Sequence, residues 1–307
     1  MPVRLLCVGL ATVDLIQRVT RLPGADEKVQ SDTVEVAAGG PAANAAVTAA
    51  ALGAEVTLLS AVGDHPLGAL IRSDLAAHGV TLIDAAAGSA EPPPVSAVTV
   101  LSGTGQRSIV SRNAGDQAFR VPDKDLPDAD LTLADGHHPL LAMAAARNAR
   151  RLLIDAGSWR PVFAELFPLA EVVACSADFR HPEAREAREA PEATGGTDAT
   201  AAGDAATATA IGAPHVLVTH GPAPVTWFDR LSGTSEEIAV PPVTAVDTSG
   251  AGDAFHGALA VFLAQNHEVR TAAGYAVRTA GIRVRHAGPR AWLAALPRAA
   301  RPAPGSS

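Results

Sequence analysis

A series of short apolar runs, each ending in glycine or a small polar cluster, constrains the fold most. Residues 4–8 run into Gly9, 55–62 into Gly63-Asp64, 131–134 into Asp135-Gly136, 152–154 into Asp155, 171–175 into Ser176-Ala177-Asp178, and 215–219 into His220-Gly221. Continuous rather than alternating apolarity marks strands buried on both faces, the situation of a parallel sheet. Helical patterns intervene. An alanine-rich stretch opens at Pro41 and stops at Leu52-Gly53, and Leu67, Leu70, Ile71 and Leu75 form one helical face that ends at Gly79. Strand and helix in alternation predict an α/β fold, a doubly wound, mostly parallel sheet flanked by helices. Ligands of such sheets sit beyond the carboxyl ends of the strands, where these polar clusters fall. Asp14, a few residues past the first strand, reads either as a substrate contact or as an ordinary turn aspartate.

Two segments depart from this rhythm. Residues 13–36 alternate apolar and polar side chains around Leu22-Pro23-Gly24, which predicts short strands joined by a turn. After Pro92-Pro93-Pro94, residues 95–101 and 106–111 flank Ser102-Gly103-Thr104-Gly105 as a hairpin. No helix follows Gly103 and Gly105, and the third glycine of a dinucleotide fingerprint is missing; the Walker Gly-Lys-Ser/Thr is missing too.

The chemistry concentrates in residues 246–259, Val-Asp-Thr-Ser-Gly-Ala-Gly-Asp-Ala-Phe-His-Gly-Ala-Leu. Phe255, Leu259 and Phe262 recur at helical spacing, so a helix begins near Ala251. Gly250 and Gly252 let backbone N–H groups of that helix start point at one spot, which attracts anions. Asp253 puts a carboxylate beside this spot. It reads either as a dipole-complementing first-turn acid, or as a base beside charge-stabilising amides in a phosphoryl transfer. Gly39-Gly40-Pro41-Ala42-Ala43-Asn44 is a second glycine-to-helix start, with Asn44 one turn in.

The net charge of −8 argues against nucleic acid as a partner, while a nucleotide can still be held by amides and a divalent cation. No apolar run reaches the eighteen or so residues of a membrane span, and the first apolar stretch is too short for a signal peptide. The expectation is a cytoplasmic protein with no membrane partner. Cys7 and Cys175 sit in strand-like runs as small hydrophobes. Adjacent His137 and His138 cannot point the same way from a strand end and show no third metal ligand. Residues 181–213 read as a helix, a loop and a second surface helix, and 298–307 as a frayed tail.

The string from Asp247 to Gly257 resembles the C-terminal signature of the ribokinase-like, PfkB-type family of sugar kinases, and Gly39 to Asn44 is similar to its N-terminal signature. The resemblance implies one kinase domain over residues 1–297, with residues 13–37 and 95–113 as a small β lid that excludes water from a sugar pocket. It implies ATP and magnesium as cofactors, a sugar acceptor, and a homodimer through the lid. Asp253 would be the base, with the amides of Gly250, Ala251, Gly252 and Asp253 as an anion hole. Asp14, Gly39, Gly40 and Asn44 would hold the sugar. Thr219 and Gly221 would touch phosphates, with Ser176 and Asp178 nearby and Ala280 flanking the adenine. Asp247, Thr248, Ala287 and Gly288 would hold potassium, as in some relatives.

Two departures matter. The Asn-x-x-Glu of many members is Cys175-Ser176-Ala177-Asp178 here, so either Asp178 substitutes for it or the magnesium is held chiefly by phosphates and water. Gly39 to Ala43, Asp26-Glu27-Lys28-Val29 and Asp253 to Ala260 together look like the branch that phosphorylates a sulfonated ketose, with Lys28, Arg112 and Asn113 able to reach an acidic substituent; yet Gly136-His137 stands where that branch has an arginine, and imidazole does not replace a bidentate guanidinium. A ketohexose or an acidic sugar is the expected acceptor. A nucleoside kinase and a catalytically silent sugar-binding regulator stay open beside it.

Overall fold

The structure is a computed structural model that describes residues 1–115, 117–122, 126–184 and 197–297. Strands are β1 Arg4–Val8, β2 Thr12–Val19, β3 Thr33–Gly39, β4 Glu55–Ser60, β5 Val80–Asp84, β6 Val95–Leu101, β7 Arg107–Ser111, β8 Leu131–Ala134, β9 Leu152–Ala156, β10 Val172–Ser176, β11 His215–His220, β12 Ala223–Asp229 and β13 Thr234–Ile238. Helices are α1 Pro41–Ala51, α2 Pro66–Ala77, α3 Pro139–Asn148, α4 Phe163–Leu166, α5 Thr197–Ile211, α6 Ala251–Ala264 and α7 Val269–Val284. The large sheet runs β13-β12-β11-β10-β9-β8-β1-β4-β5, and a second sheet runs β3-β2-β6-β7.

From β11 to β5 every neighbouring pair in the large sheet is parallel, as the continuous apolar runs predict. Burial on both faces is visible along β1. Leu5 and Cys7 pack with α1, α2, α6 and α7 side chains on one face, while Leu6 and Val8 pack with α3, Phe163 and Phe167 on the other. Both cysteines are buried in these cores, and burial pushes the Cys7 thiol up to about 12. The antiparallel β12–β13 hairpin at one edge was not anticipated, because Ser235, Glu236 and Glu237 break any apolar run there.

The small sheet is built from the two segments that broke the strand–helix rhythm. Asp14 lies inside β2, not in a turn beyond β1. Register places Asp14, Ile16 and Arg18 of β2 on one face with Ser96, Val98 and Val100 of β6 and Arg107, Ile109 and Ser111 of β7. This inner face looks onto the carboxyl ends of the large sheet, and Ile16, Val98 and Val100 form its own small core. The opposite face exposes Val34, Val36, Val95 and Val110. Of the region expected as two surface helices, α5 is present, but residues 185–196 and the expected tail 298–307 lie outside the described residues. No described helix is long and apolar enough to cross a membrane.

Candidate active site

Two glycine-initiated helices meet here. Gly40 caps α1 at φ 93°, and a Cβ on it would collide with the Leu10 carbonyl. Gly250 caps α6 in the left-handed region at φ 67°. The helices pack so closely that a Cβ on Gly257 would overlap the Ala45 carbonyl oxygen. Their first turns therefore converge: Asn44 Nδ2 donates to Asp253 Oδ2 at 2.8 Å. A Cβ on Gly250 would stand 3.6 Å from Asp253 Oδ2, 3.8 Å from Arg283 Nε and 3.8 Å from Asn44 Nδ2, whereas one on Gly252 would meet nothing within 4 Å. The backbone before Asp253 is thus open on the side of a cleft of about 260 Å³, which Asp14, Gly40, Asn44, Asn113, Gly250, Gly252 and Asp253 help to line.

Burial raises the Asp253 carboxyl to about 6, the Asp155 charge adding to the shift while the Asn44 hydrogen bond and the His256 and Arg107 charges oppose it. A half-buried carboxylate that can still ionise near neutrality, beside helix-start amides lacking intrahelical acceptors, has the makings of a base next to an anion site. Opposite it, Asp14 accepts from Thr12 Oγ1 at 2.6 Å. Burial raises Asp14 as well, against hydrogen bonds from Thr12 and Ser96 and the Arg290 charge. Gly39 leaves room for this carboxylate, which a Cβ there would overlap.

Ser176 and Thr219 are register partners on β10 and β11, so the two strand ends stand side by side, with exposed Gly221 just beyond at φ 62°. Asp178 is exposed, and Ala280 packs half-buried against the core from α7. These residues lie apart from the cleft lining. Among the described residues no group of three or more His, Cys, Asp or Glu side chains could hold a metal. Exposed Asp178 is the carboxylate beside these strand ends that could meet a hydrated magnesium ion.

The expected potassium site has a different occupant. Asp247 Oδ2 accepts from Arg18 Nη2 at 2.7 Å and from the Gly288 amide at 3.2 Å, and Arg283 Nη2 is 3.4 Å away. Asp247 Oδ1 accepts from the Ser249 amide at 2.9 Å. Burial opposes ionisation of Asp247, but the Arg283 charge, the Ser249 hydrogen bond and the Arg18 charge outweigh it and lower its pKa. Arg107 Nη1 takes the Thr248 carbonyl at 2.7 Å. The Asp247 oxygens and the Thr248 carbonyl expected in a potassium shell thus already accept N–H groups.

Besides Gly39, three expected substrate contacts stay out of the cleft lining. Lys28 and Arg112 are exposed. The His137 side chain is buried against Asp135, Nδ1 lying 3.1 Å from Oδ1, and Arg160 meets its other nitrogen. A strand-end position locates the backbone of His137, but buried Asp135 decides where its ring goes. Asp135 in turn accepts the Leu10 amide at 2.9 Å and the Ala42 amide at 3.3 Å, tying β1 to the start of α1. Burial works against its ionisation, yet the His137 charge and hydrogen bonds from His137 and Leu10 hold it at about 2.

The cleft also contains residues the sequence reading missed: Thr12, Ser96, Arg107, Arg283 and Arg290. Arg290 is the most connected of them. Its Nη1 donates to Asn44 Oδ1 at 3.0 Å, and its Nη2 to the Ala38 carbonyl at 2.7 Å and to Asp74 Oδ2 at 2.9 Å. Nothing local marks Arg290, whereas Arg18 could have been found by counting alternate positions from Asp14 along β2.

Known proteins resemble this chain along nearly its whole length. The model of the pfkB family carbohydrate kinases matches residues 3–295. A ribokinase of Bacillus subtilis (strain 168) is 28% identical over 293 residues, covering 92% of this chain and 93% of the relative. A deoxyribokinase of Salmonella typhi is 26% identical over 285 residues, covering 90% and 91%. The structure of Arabidopsis thaliana ribokinase complexed with ribose and ATP superimposes with a TM-score of 0.73 at 23% identity, over 97% of this chain and 96% of that one.

Proposed function

The chain belongs to the pfkB family of carbohydrate kinases, and from that premise we propose that it transfers the γ-phosphoryl group of ATP to a primary hydroxyl of an uncharged sugar of pentose or ketohexose size. The observation that carries this reading is the placement of Asp253 beside Asn44 and Gly250, facing Asp14 across the cleft. Asp14 and Asn44 hold sugar hydroxyls. Asp253 accepts the proton of the attacking hydroxyl, and the amides of Gly250–Asp253 stabilise charge on the transferring group. Thr219, Gly221 and Ser176 hold phosphates at the adjoining strand ends, and Ala280 flanks the adenine. Magnesium arriving with ATP would be met through its water shell by Asp178 and would supply positive charge to offset that of the phosphates.

A sugar of pentose size is supported by the ribokinase and deoxyribokinase relatives. An acidic substituent has little support, since Lys28 and Arg112 are exposed outside the cleft and His137 is spent on Asp135 and Arg160. Residues 1–297 act as one kinase domain, with the small sheet as its lid. The exposed valines of its outer face support a homodimer through the lid. An ATP-dependent sugar kinase belongs in the cytoplasm.

ADP release with ribose, 2-deoxyribose, fructose, sulfofructose, 2-keto-3-deoxygluconate and adenosine tests the proposal, with Asp253→Asn as control. Turnover is expected with ribose, 2-deoxyribose or fructose and not from the variant. Preference for adenosine would make the protein a nucleoside kinase, and preference for sulfofructose or the keto acid would restore the acidic acceptor. No release with any acceptor would leave a silent sugar-binding protein.

A further inference from the structure

We infer that Arg18 and Arg283 hold, as fixed guanidinium groups, the place beside Asp247 that a monovalent cation would take, so that the anion hole of this chain is assembled without potassium. The inference rests on the reading of Gly250–Asp253 as that anion hole. Asp247 staples the backbone entering α6, its two carboxylate oxygens accepting the Ser249 and Gly288 amides at 2.9 and 3.2 Å. It is 1% exposed, and a carboxylate so buried needs positive charge within contact distance.

Two guanidiniums supply that charge. Arg283 comes from α7, its side chain 4% exposed, and Arg18 from the inner face of the small sheet, its side chain 11% exposed. A third unit of positive charge would be repelled by both at short range. The neighbouring carbonyls are engaged too. Arg283 Nη1 donates to the His286 carbonyl at 2.9 Å, and Arg107 Nη1 to the Thr248 carbonyl at 2.7 Å. The Asp247 carboxylate and the Thr248 and His286 carbonyls, all candidates for an ion's shell, each accept an N–H, and a guanidinium fork can serve a carboxylate and a carbonyl together.

Arg18 and Arg107 both belong to the small sheet, and the Gly105 carbonyl of its hairpin accepts from Thr248 Oγ1 at 3.1 Å. The charge that neutralises Asp247 therefore arrives partly with the lid. Arg18 is a positioning residue: it touches neither acceptor nor phosphate, and acts through Asp247 on the geometry of the turn before Asp253.

Turnover and melting temperature are measured for the wild type and Arg18→Met in tetramethylammonium, sodium and potassium chloride at equal ionic strength. Wild-type turnover should agree within about twofold in all three salts, and Arg18→Met should lose about tenfold or more without potassium and regain part of it with potassium. Potassium should raise the melting temperature of Arg18→Met but not of the wild type. Selective activation or stabilisation of the wild type by potassium overturns the inference, as does an Arg18→Met variant indifferent to potassium in both readouts. Should the kinase reading itself fail, no salt yields turnover, while the melting shifts still report on the cation site.

Discussion

Asn44 and Asp253 stand 209 residues apart in sequence, yet the amide of one donates to the carboxylate of the other at 2.8 Å. Each sits in the first turn of a glycine-capped helix, so the two turns bring the proposed sugar-binding amide and the proposed base into one site. Asn44→Ala should lower kcat/KM roughly 10- to 100-fold, since it removes an acceptor contact and the donor that favours the ionised base. Steady-state kinetics with the preferred sugar checks this, and ATP affinity should be unchanged.

Turnover should fall with decreasing pH as Asp253 gains a proton near 6, well above the roughly 4 of an exposed aspartate. The sign for stability is opposite. A carboxyl whose folded-state pKa is raised stabilises the folded form while protonated and loses that contribution as pH rises through the folded pKa. Asp253→Asn should therefore cost turnover at least about a hundredfold while gaining roughly 1–3 kcal/mol at pH 8, a gain that disappears near pH 4. Urea melts at the two pH values, beside a pH–kcat profile of the wild type, measure both signs.

Close approach of α1 and α6 makes the site, and Gly257 permits it. Gly257→Ala would drive a methyl into the Ala45 carbonyl and towards Thr48, forcing the helices apart. A destabilisation of about 1–3 kcal/mol is expected, with loss of turnover exceeding loss of fold because Asn44 and Asp253 separate. Gly252→Ala is the contrasting case. Its Cβ meets no protein atom within 4 Å, so stability should hold or improve while phosphoryl transfer suffers from the crowded cleft.

The fold was legible where the physics is local. Continuous apolar runs mark doubly buried strands, and glycine before a helical pattern marks α1 and α6 together with Asn44 and Asp253. What escaped is set by side chains reaching across the chain. Arg18 meets Asp247 229 residues away, and Arg290 meets Asn44 246 residues away; neither spacing leaves a local trace. His137 was misplaced for a related reason. Its strand-end position was right, but the buried charge of Asp135 draws its ring inward. Lys28 lies in the exposed connection between β2 and β3, where periodicity specifies no side-chain direction.

Arg290 joins the sugar side of the site to α2, because one guanidinium serves Asn44, the Ala38 carbonyl and Asp74. Asp74 and Arg290 side chains are 17% and 15% exposed, so deleting one partner leaves a charge largely shielded from water. Arg290→Met should cost roughly 1–3 kcal/mol in stability and raise KM for the sugar, as Asn44 loses the donor that fixes its amide. Pairing Arg290→Met with Asp74→Leu separates the effects. Removing both charges should return most of the lost stability, while the raised KM persists because Asn44 Oδ1 still lacks its partner. A double-mutant cycle read by urea melts and by sugar KM distinguishes a residue that orients the acceptor site from one that only ties α2 to it.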